Sequence, residues 1–142
     1  MSGMYISYDD LKTGIAEETL TVISRGQNNA EQAIREAEAE VSSYLSARYD
    51  IAAELSVTGG ARNQKVFQLV RDIAIYKCYV ISNPAGIPNV RRQLYEDALA
   101  FLKDVQSEKA ALPGLARLDG ESGGGSSYVR FGGNKKRRNQ WQ

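Results

Sequence analysis

Residues 63–81 of the 142-residue chain read NQKVFQLVRDIAIYKCYVI, and this stretch decides the fold. Its apolar residues recur three and four positions apart, which is the spacing that places side chains along one face of an α-helix. Other apolar and aromatic residues lie between them, so this helix would be apolar on more than one side. The pattern therefore predicts a central helix. Its main face consists of Val66, Leu69, Val70, Ile73, Ala74, Lys77, Cys78 and Ile81.

Upstream of this segment, the same spacing predicts a second amphipathic helix of about five turns. Asn29 is a favourable N-cap for it, and its glutamates mostly face away from the apolar stripe. Before it, Ser7 and Asp10 have the spacing of a capping box, which predicts a short helix from Tyr8, and residues 16–24 predict another. The stripe of the long helix consists of Ala30, Ala33, Ile34, Ala37, Val41, Tyr44, Leu45 and Arg48.

Downstream, residues 50–61 (DIAAELSVTGGA) lose the periodicity, and we expect a loop that holds a short extended piece. Pro88 can occupy the first turn of a last helix, which is expected to end near Ala111. The pattern as a whole predicts an all-α fold: a small four-helix body with short connecting loops over residues 1–112. An extended, Gly-rich and basic C-terminal arm is expected over residues 113–142.

Five of the eight tyrosines lie on or beside these predicted helices. Two interpretations stay open. In the first, the tyrosines surround the core with their hydroxyls in water. In the second, they form protein–protein contacts, in which tyrosine is enriched. We expect one shared core to include Tyr44, Leu45, Ile73 and Phe101. The five tyrosines are Tyr44, Tyr49, Tyr76, Tyr79 and Tyr95.

Composition argues against catalysis and metal binding. The chain has no histidine, so it lacks the commonest general base and metal ligand and every Ser–His or Cys–His pair. Cys78 is the only cysteine, which excludes an internal disulfide and a zinc finger, and its place in the helical stripe predicts a buried structural thiol. We expect a non-enzymatic protein without a catalytic residue, metal or cofactor. The chain shows no signal-peptide pattern and no membrane-spanning run, so a soluble protein is expected, with no membrane partner.

The C-terminal arm has an unusual composition. Residues 119–127 read DGESGGGSS, which is typical of a flexible linker. From residue 117 onward there are six basic and two acidic residues, a net charge of +4, against −3 for the first 116 residues. Aromatic anchors favour docking of this arm on a partner. The alternative is a small helical nucleic-acid-binding protein that uses the basic tail, since four clustered cations attract phosphate without sequence preference. The candidate binding residues are Tyr128, Val129, Arg130, Phe131, Lys135, Lys136, Arg137, Arg138 and Trp141.

Three short motifs occur in order along the predicted helices: YLSARY at 44–49, IAIY at 73–76 and RQLYEDALAFL at 92–102. Together with YIS at 5–7, they resemble the phage Mu-like family of small virion proteins. The resemblance covers about residues 4–112. The loop after YLSARY lacks the prolines that are usual in the family, and the arm has no counterpart that we can align.

This family is related in fold to the connector, or adaptor, proteins of long-tailed phages. The resemblance therefore implies a structural virion protein: a head-to-tail connector subunit in a ring beneath the portal, twelve-membered in such connectors. The expected partners are further copies of the chain, the portal protein, and a tail or stopper/terminator protein. Genomic DNA would pass through the lumen without specific binding. The expected location is the head–tail neck of the virion, after assembly in the host bacterial cytoplasm.

Arg48 and Tyr49 are expected at the end of the long helix, where a basic side chain can cap the last carbonyl groups. Their alternative role is contact with an adjacent subunit. We predict the contact.

Overall fold

The computed structural model describes residues 5–82 and 84–118. Within these ranges the chain forms α-helices and short 3₁₀-helices and no named strand, which confirms the predicted all-α fold. The described residues form five α-helices, one more than the four-helix body that the sequence pattern predicted. They are α1 (Glu17–Ser24), α2 (Gln27–Leu45), α3 (Ile51–Leu55), α4 (Gln64–Ser82) and α5 (Asn89–Gln106). The 3₁₀-helices are Asp9–Thr13, Gly59–Ala61 and Pro84–Gly86.

Helix α4 is central, as predicted: it packs against α1, α2 and α5. Its buried face includes most of the predicted stripe, together with Ile75 and Tyr79 from its other side. Two members of the predicted stripe depart from it, since Ile81 is 43% exposed and Lys77 is half-buried. Ile81 lies at the end of α4, and the ammonium group of Lys77 pairs with Glu40 of α2.

Helix α2 packs most extensively on α4, and its alanine-rich face, with Ala30, Ala33 and Ala37, is fully buried. Alanine side chains are small, so such a face allows a neighbouring helix to approach closely. The predicted N-cap at Asn29 is wrong. The helix begins at Gln27, directly after Gly26, which has a φ of 128° that favours glycine. The turn between α1 and α2 thus decides where α2 begins.

The predicted loop over residues 50–61 is a second correction. It contains α3 and the 3₁₀-helix Gly59–Ala61, without an extended strand. The Asp50 carboxylate caps α3 by accepting a hydrogen bond from the amide of Ala53 at 3.2 Å. A helix of five residues is too short to show a 3.6-residue period, which explains why the sequence pattern missed it.

The core confirms part of the predicted set. Leu45 and Ile73 are fully buried, whereas Tyr44 and Phe101 are partly buried and pack against the core from its edge. The predicted capping box is present: the Ser7 amide donates to the Asp10 carboxylate at 2.9 Å, and the Asp10 amide donates to the Ser7 hydroxyl at 3.2 Å. It precedes a 3₁₀-helix that begins at Asp9 and not at Tyr8.

None of the helices in the described ranges is both long and apolar enough to cross a membrane.

Candidate interaction surfaces

The segment after α5 returns to the end of α2, and we call residues 107–118 the strap. Its last residues run antiparallel to residues 48–50, with one bridge between Tyr49 and Arg117. The strap thus ties the end of the described chain to a segment about seventy residues earlier in the sequence. The hydrogen bonds that flank the bridge join Asp50 N to Ala116 O at 2.8 Å and Leu118 N to Arg48 O at 3.2 Å.

Tyr49 lies beneath the strap and is only 2% exposed. Its hydroxyl oxygen accepts a hydrogen bond from the amide of Leu112 at 3.2 Å, and the Arg117 guanidinium carbon lies 5.2 Å from the centre of its ring. Leu112 and Leu115 of the strap are buried beside it. Tyr49, which the sequence pattern placed at a subunit interface, is therefore in contact with its own chain. The strap covers it, and no local sequence pattern predicts the strap.

Arg48 also binds its own chain. Its Nη1 lies 2.6 Å from a carboxylate oxygen of Glu108, and the two side chains are 22% and 68% exposed respectively. Its Nε is buried, and no acceptor in the described chain reaches it. A buried donor without a partner costs free energy, so this guanidinium is only partly satisfied. Contact of Arg48 with a neighbouring subunit stays a prediction.

Glu108, the second residue of the strap, has a backbone conformation that favours glycine. Two hydrogen bonds, from the Lys109 amide to the Asp104 carbonyl at 2.7 Å and from the Glu108 amide to the Val105 carbonyl at 3.1 Å, form a Schellman motif. This motif ends α5 at Gln106, earlier than the predicted end near Ala111. Glu108 occupies its left-handed position with a φ of 71°, where glycine is usual. Its carboxylate is the one that pairs with Arg48.

A second feature is the tyrosine patch, which we define as Tyr44, Tyr76 and Tyr95. The rings of Tyr76 and Tyr95 stack at 4.0 Å with an interplanar angle of 7°. The Tyr95 hydroxyl donates to one oxygen of Glu40 at 3.1 Å, and Lys77 Nζ lies 3.1 Å from the other. The patch therefore joins α2, α4 and α5.

The surroundings of Tyr95 favour its protonated form. Burial and the negative charge of Glu40 raise the pKa of the phenol to about 12. The phenol is protonated at neutral pH, as an ordinary tyrosine is, and the raised pKa extends its role as donor to Glu40 to more alkaline pH.

The first described residues are anchored by charged side chains. The Tyr5 hydroxyl donates to the Glu54 carboxylate on α3, and Arg62 Nη1 donates to the Tyr5 carbonyl at 3.1 Å and to the Asp10 carboxylate at 2.9 Å. Burial raises the pKa of Asp10, but the hydrogen bonds from Arg62 and Ser7 outweigh it, so the pKa lies below its usual value. Burial and the adjacent Glu54 raise the pKa of Tyr5.

Cys78 is buried, as predicted, and burial raises the pKa of its thiol to about 11. The thiolate, which is the reactive form, is therefore scarce at neutral pH. Among the described residues, no group of three or more cysteine, aspartate or glutamate side chains is arranged to hold a metal ion.

The candidate arm residues lie outside the described residues, so their contacts stay predictions. They are Tyr128, Val129, Arg130, Phe131, Lys135, Lys136, Arg137, Arg138 and Trp141.

Taken together, the described residues define a small all-α protein built around one central helix and closed by a strap. A family model described as "Bacteriophage Mu, Gp36" matches residues 5–129. The chain belongs to this family and is a phage structural or morphogenesis protein. No curated protein and no solved structure matches it.

The match extends further than the motifs suggested. The sequence resemblance ended near residue 112, whereas the family model continues through the strap and the Gly-rich segment to Val129. The expectation that the chain after Pro113 has no counterpart is therefore wrong as far as Val129. The basic cluster at residues 135–138 lies beyond the match.

Proposed function

We propose that this chain is a head–tail connector subunit, copies of which form a ring beneath the portal. The ring would extend the DNA channel and offer the attachment surface for the tail or the next neck protein. The observation that carries the proposal is the family match, which spans the whole described body. The connector role itself comes from the resemblance of the helix motifs to a family related in fold to such connectors.

A closed ring of identical copies needs a heterologous interface, in which one face of each copy packs against a different face of the next. The tyrosine patch is suited to one of these faces, since aromatic side chains are enriched at interfaces. The two charged groups beside it, Glu40 and Lys77, already pair with each other at 3.1 Å. Burying the patch against a neighbour would therefore leave neither charge without a partner.

Residues 113–118 of the expected arm belong to the strap, and the rest of the arm, residues 119–142, is proposed to bind the portal or a neighbouring connector subunit. The strap supports this role because it fixes the last described residue, Leu118, beside residues 48–50. Beyond it, Tyr128, Phe131 and Trp141 are candidate anchors, and residues 135–138 are candidates for pairing with acidic side chains.

We also propose that the chain has no catalytic activity of its own, an inference that rests on the absence of histidine. Cys78 is the side chain to test, since it is the only thiol in the sequence. Cys78→Ser should leave virion assembly nearly intact. Loss of assembly in a variant with an unchanged circular dichroism spectrum would point to a chemical role for the thiol.

The central experiment mixes the purified chain with assembled portals and, separately, with duplex DNA. We expect co-elution with portals in gel filtration, a ring of added density at one end of the portal in negative-stain images, and no retention by DNA at physiological salt. Retention by DNA without portal binding would favour the nucleic-acid-binding alternative.

Two truncations locate the portal contact within the arm. Removing residues 119–142 should lower portal binding steeply. Removing only residues 132–142 keeps every residue of the family match and deletes the basic cluster. The full chain compared with this second truncation shows how much the cluster and Trp141 add, and the difference between the two truncations shows what residues 119–131 add. Undiminished binding by the shorter chain would exclude the arm as the contact.

A further inference from the structure

The strap, as described, is held on the body by a short backbone pairing and a few side-chain contacts. The strap contacts the end of α2 through residues 48–50, and it accepts a hydrogen bond at the Pro113 carbonyl from the side chain of Asn63 at 3.1 Å. Its link to α5 is the turn that starts at Glu108, whose side chain is 68% exposed. The strap is therefore a separable unit on an exposed connection.

The turn at Glu108 and its partner Arg48 each carry a local cost in free energy. Glu108 holds a left-handed φ of 71° that a residue with a side chain rarely adopts. Its partner Arg48 keeps a buried Nε for which the described chain offers no acceptor. The ion pair that offsets these costs has one largely exposed member, and such pairs stabilise little. Strain that is concentrated at one contact points to a second arrangement in which it is relieved.

We propose that the strap is exchanged between neighbouring copies, so that residues 112–118 of one subunit pair with residues 48–50 of the next. Exchange re-forms the backbone pairing and the cover over Tyr49 between two chains, and it lets the turn at Glu108 open. The occupant is a second copy, because the surface beneath the strap is complementary to this segment and is identical in every subunit. The inference rests on the proposed ring of copies.

In this arrangement Arg48 and Tyr49 contact a neighbouring subunit, which is the role that the sequence pattern predicted for them. The structure of one chain shows them covered because the same segment closes on its own body. A short connection under strain is the usual setting for such an exchange.

A reversible disulfide provides the test. Asp50 and Ala116 are opposite each other across the antiparallel pair, joined by the 2.8 Å backbone hydrogen bond. Directly opposed residues in such a pair have Cα atoms about 4.5–5.5 Å apart, within the range that a disulfide spans. The full chain carrying Asp50→Cys and Ala116→Cys is oxidised either before or after assembly with portals. The single variants and the unaltered chain, whose Cys78 is buried, are the controls.

Oxidation before assembly should give an intrachain disulfide and lower ring formation at least tenfold, with recovery on reduction. Oxidation after assembly should give covalent multimers on a denaturing gel. Only intrachain disulfides in assembled rings, or equal assembly by the oxidised and reduced forms, would overturn the exchange.

A second measurement decides whether the strap opens, even if the double variant does not fold. Hydrogen exchange on the unaltered monomer should show the Asp50 and Leu118 amides exchanging at least tenfold faster than core amides of α4. Exchange of these amides only through global unfolding would overturn the proposal. If the unaltered chain binds no portal and forms no ring, the proposed function fails, and with it the exchange between copies, while opening of the strap is still decided by this measurement.

Discussion

Glu108 is the residue at which backbone geometry and side-chain pairing oppose each other. Its left-handed φ costs about 1 kcal/mol relative to glycine, and its exposed pair with Arg48 stabilises by less than about 1 kcal/mol. Glu108→Gly removes both the backbone strain, a change that stabilises the chain, and the ion pair, a change that destabilises it. We therefore predict that the free energy of unfolding stays within about 1 kcal/mol of that of the unaltered chain. Urea-induced unfolding measures this.

Glu108→Gln is the matched control, because it keeps the side-chain shape and the strained φ but removes the charge. It should lower stability slightly, by less than about 1 kcal/mol. A loss above about 2 kcal/mol for this variant would show that the ion pair with Arg48 is much stronger than its exposure suggests.

Asp10 gives a prediction about pH. Its pKa in the folded chain lies below the ordinary value of 3.8, mainly because hydrogen bonds from Arg62 and Ser7 outweigh burial. The folded state thus binds this proton less readily than the unfolded state, so the stabilisation is present above about pH 4 and is lost as pH falls through the folded pKa. Asp10→Asn should cost on the order of 1 kcal/mol at pH 7 and progressively less at acid pH.

Thermal unfolding at several pH values measures this effect. Asp9→Asn is the control, since the Asp9 side chain is 81% exposed. At strongly acid pH, Asp10 of the unaltered chain is protonated and its stabilisation is lost, so Asp10→Asn should then cost little. An equal loss of stability at neutral and strongly acid pH would contradict the assignment.

At the scale of single helices, α2 and α5 contribute unequally to the core. Leu45 of α2 is fully buried, whereas Phe101 of α5 lies at its edge with Lys65 4.5 Å from its ring. Leu45→Ala should lower the free energy of unfolding by about 2–5 kcal/mol, and Phe101→Ala by less. Val22→Ala is the control and should change it by at most about 0.5 kcal/mol, since Val22 is 71% exposed. The reverse order for Leu45 and Phe101 would contradict the burial pattern.

Helices α2 and α4 could be predicted from the sequence because both are long and keep one apolar face over several turns. Helix α3 could not, since five residues do not complete two turns. The beginning of α2 was missed because Asn29 is a good cap in isolation, whereas the turn at Gly26 starts the helix three residues earlier. Element type thus follows local periodicity, and element ends depend on tertiary packing.

The candidate surfaces were predictable only in part. The YLSARY motif ends in the segment that the strap covers, and the burial of Tyr49 depends on that strap, which pairs with it across about seventy residues of sequence. Local sequence periodicity carries no information about a pairing between residues so far apart in the chain. The tyrosines were left open between core edge and interface, and the structure places Tyr44 and Tyr95 against the core while keeping them partly exposed.

At the scale of the whole molecule, the strap completes the body. A chain that ends at Leu118 should unfold with the same free energy as the full chain, within about 0.5 kcal/mol, because it keeps every described contact. A chain that ends at Gln106 loses Leu112 and Leu115, both buried, and uncovers Tyr49. Burial of one leucine contributes about 1.5–3 kcal/mol, so the shorter chain should be several kcal/mol less stable. Calorimetry on the two chains distinguishes them, and equal stability would show that the strap adds nothing to the fold.

The short helix α3 lies where the two ends of the described chain meet. Tyr5 reaches it through the Glu54 carboxylate, and the strap reaches its N-cap, Asp50, through the Ala116 carbonyl. Ends that meet in this way permit circular permutation: a short linker could join Leu118 to Tyr5, and the chain could be reopened at the exposed Gly59–Gly60 turn. For the same reason, labels attached at Tyr5 and at Leu118 would both lie near α3, so a pair of them would report on the same region of the subunit.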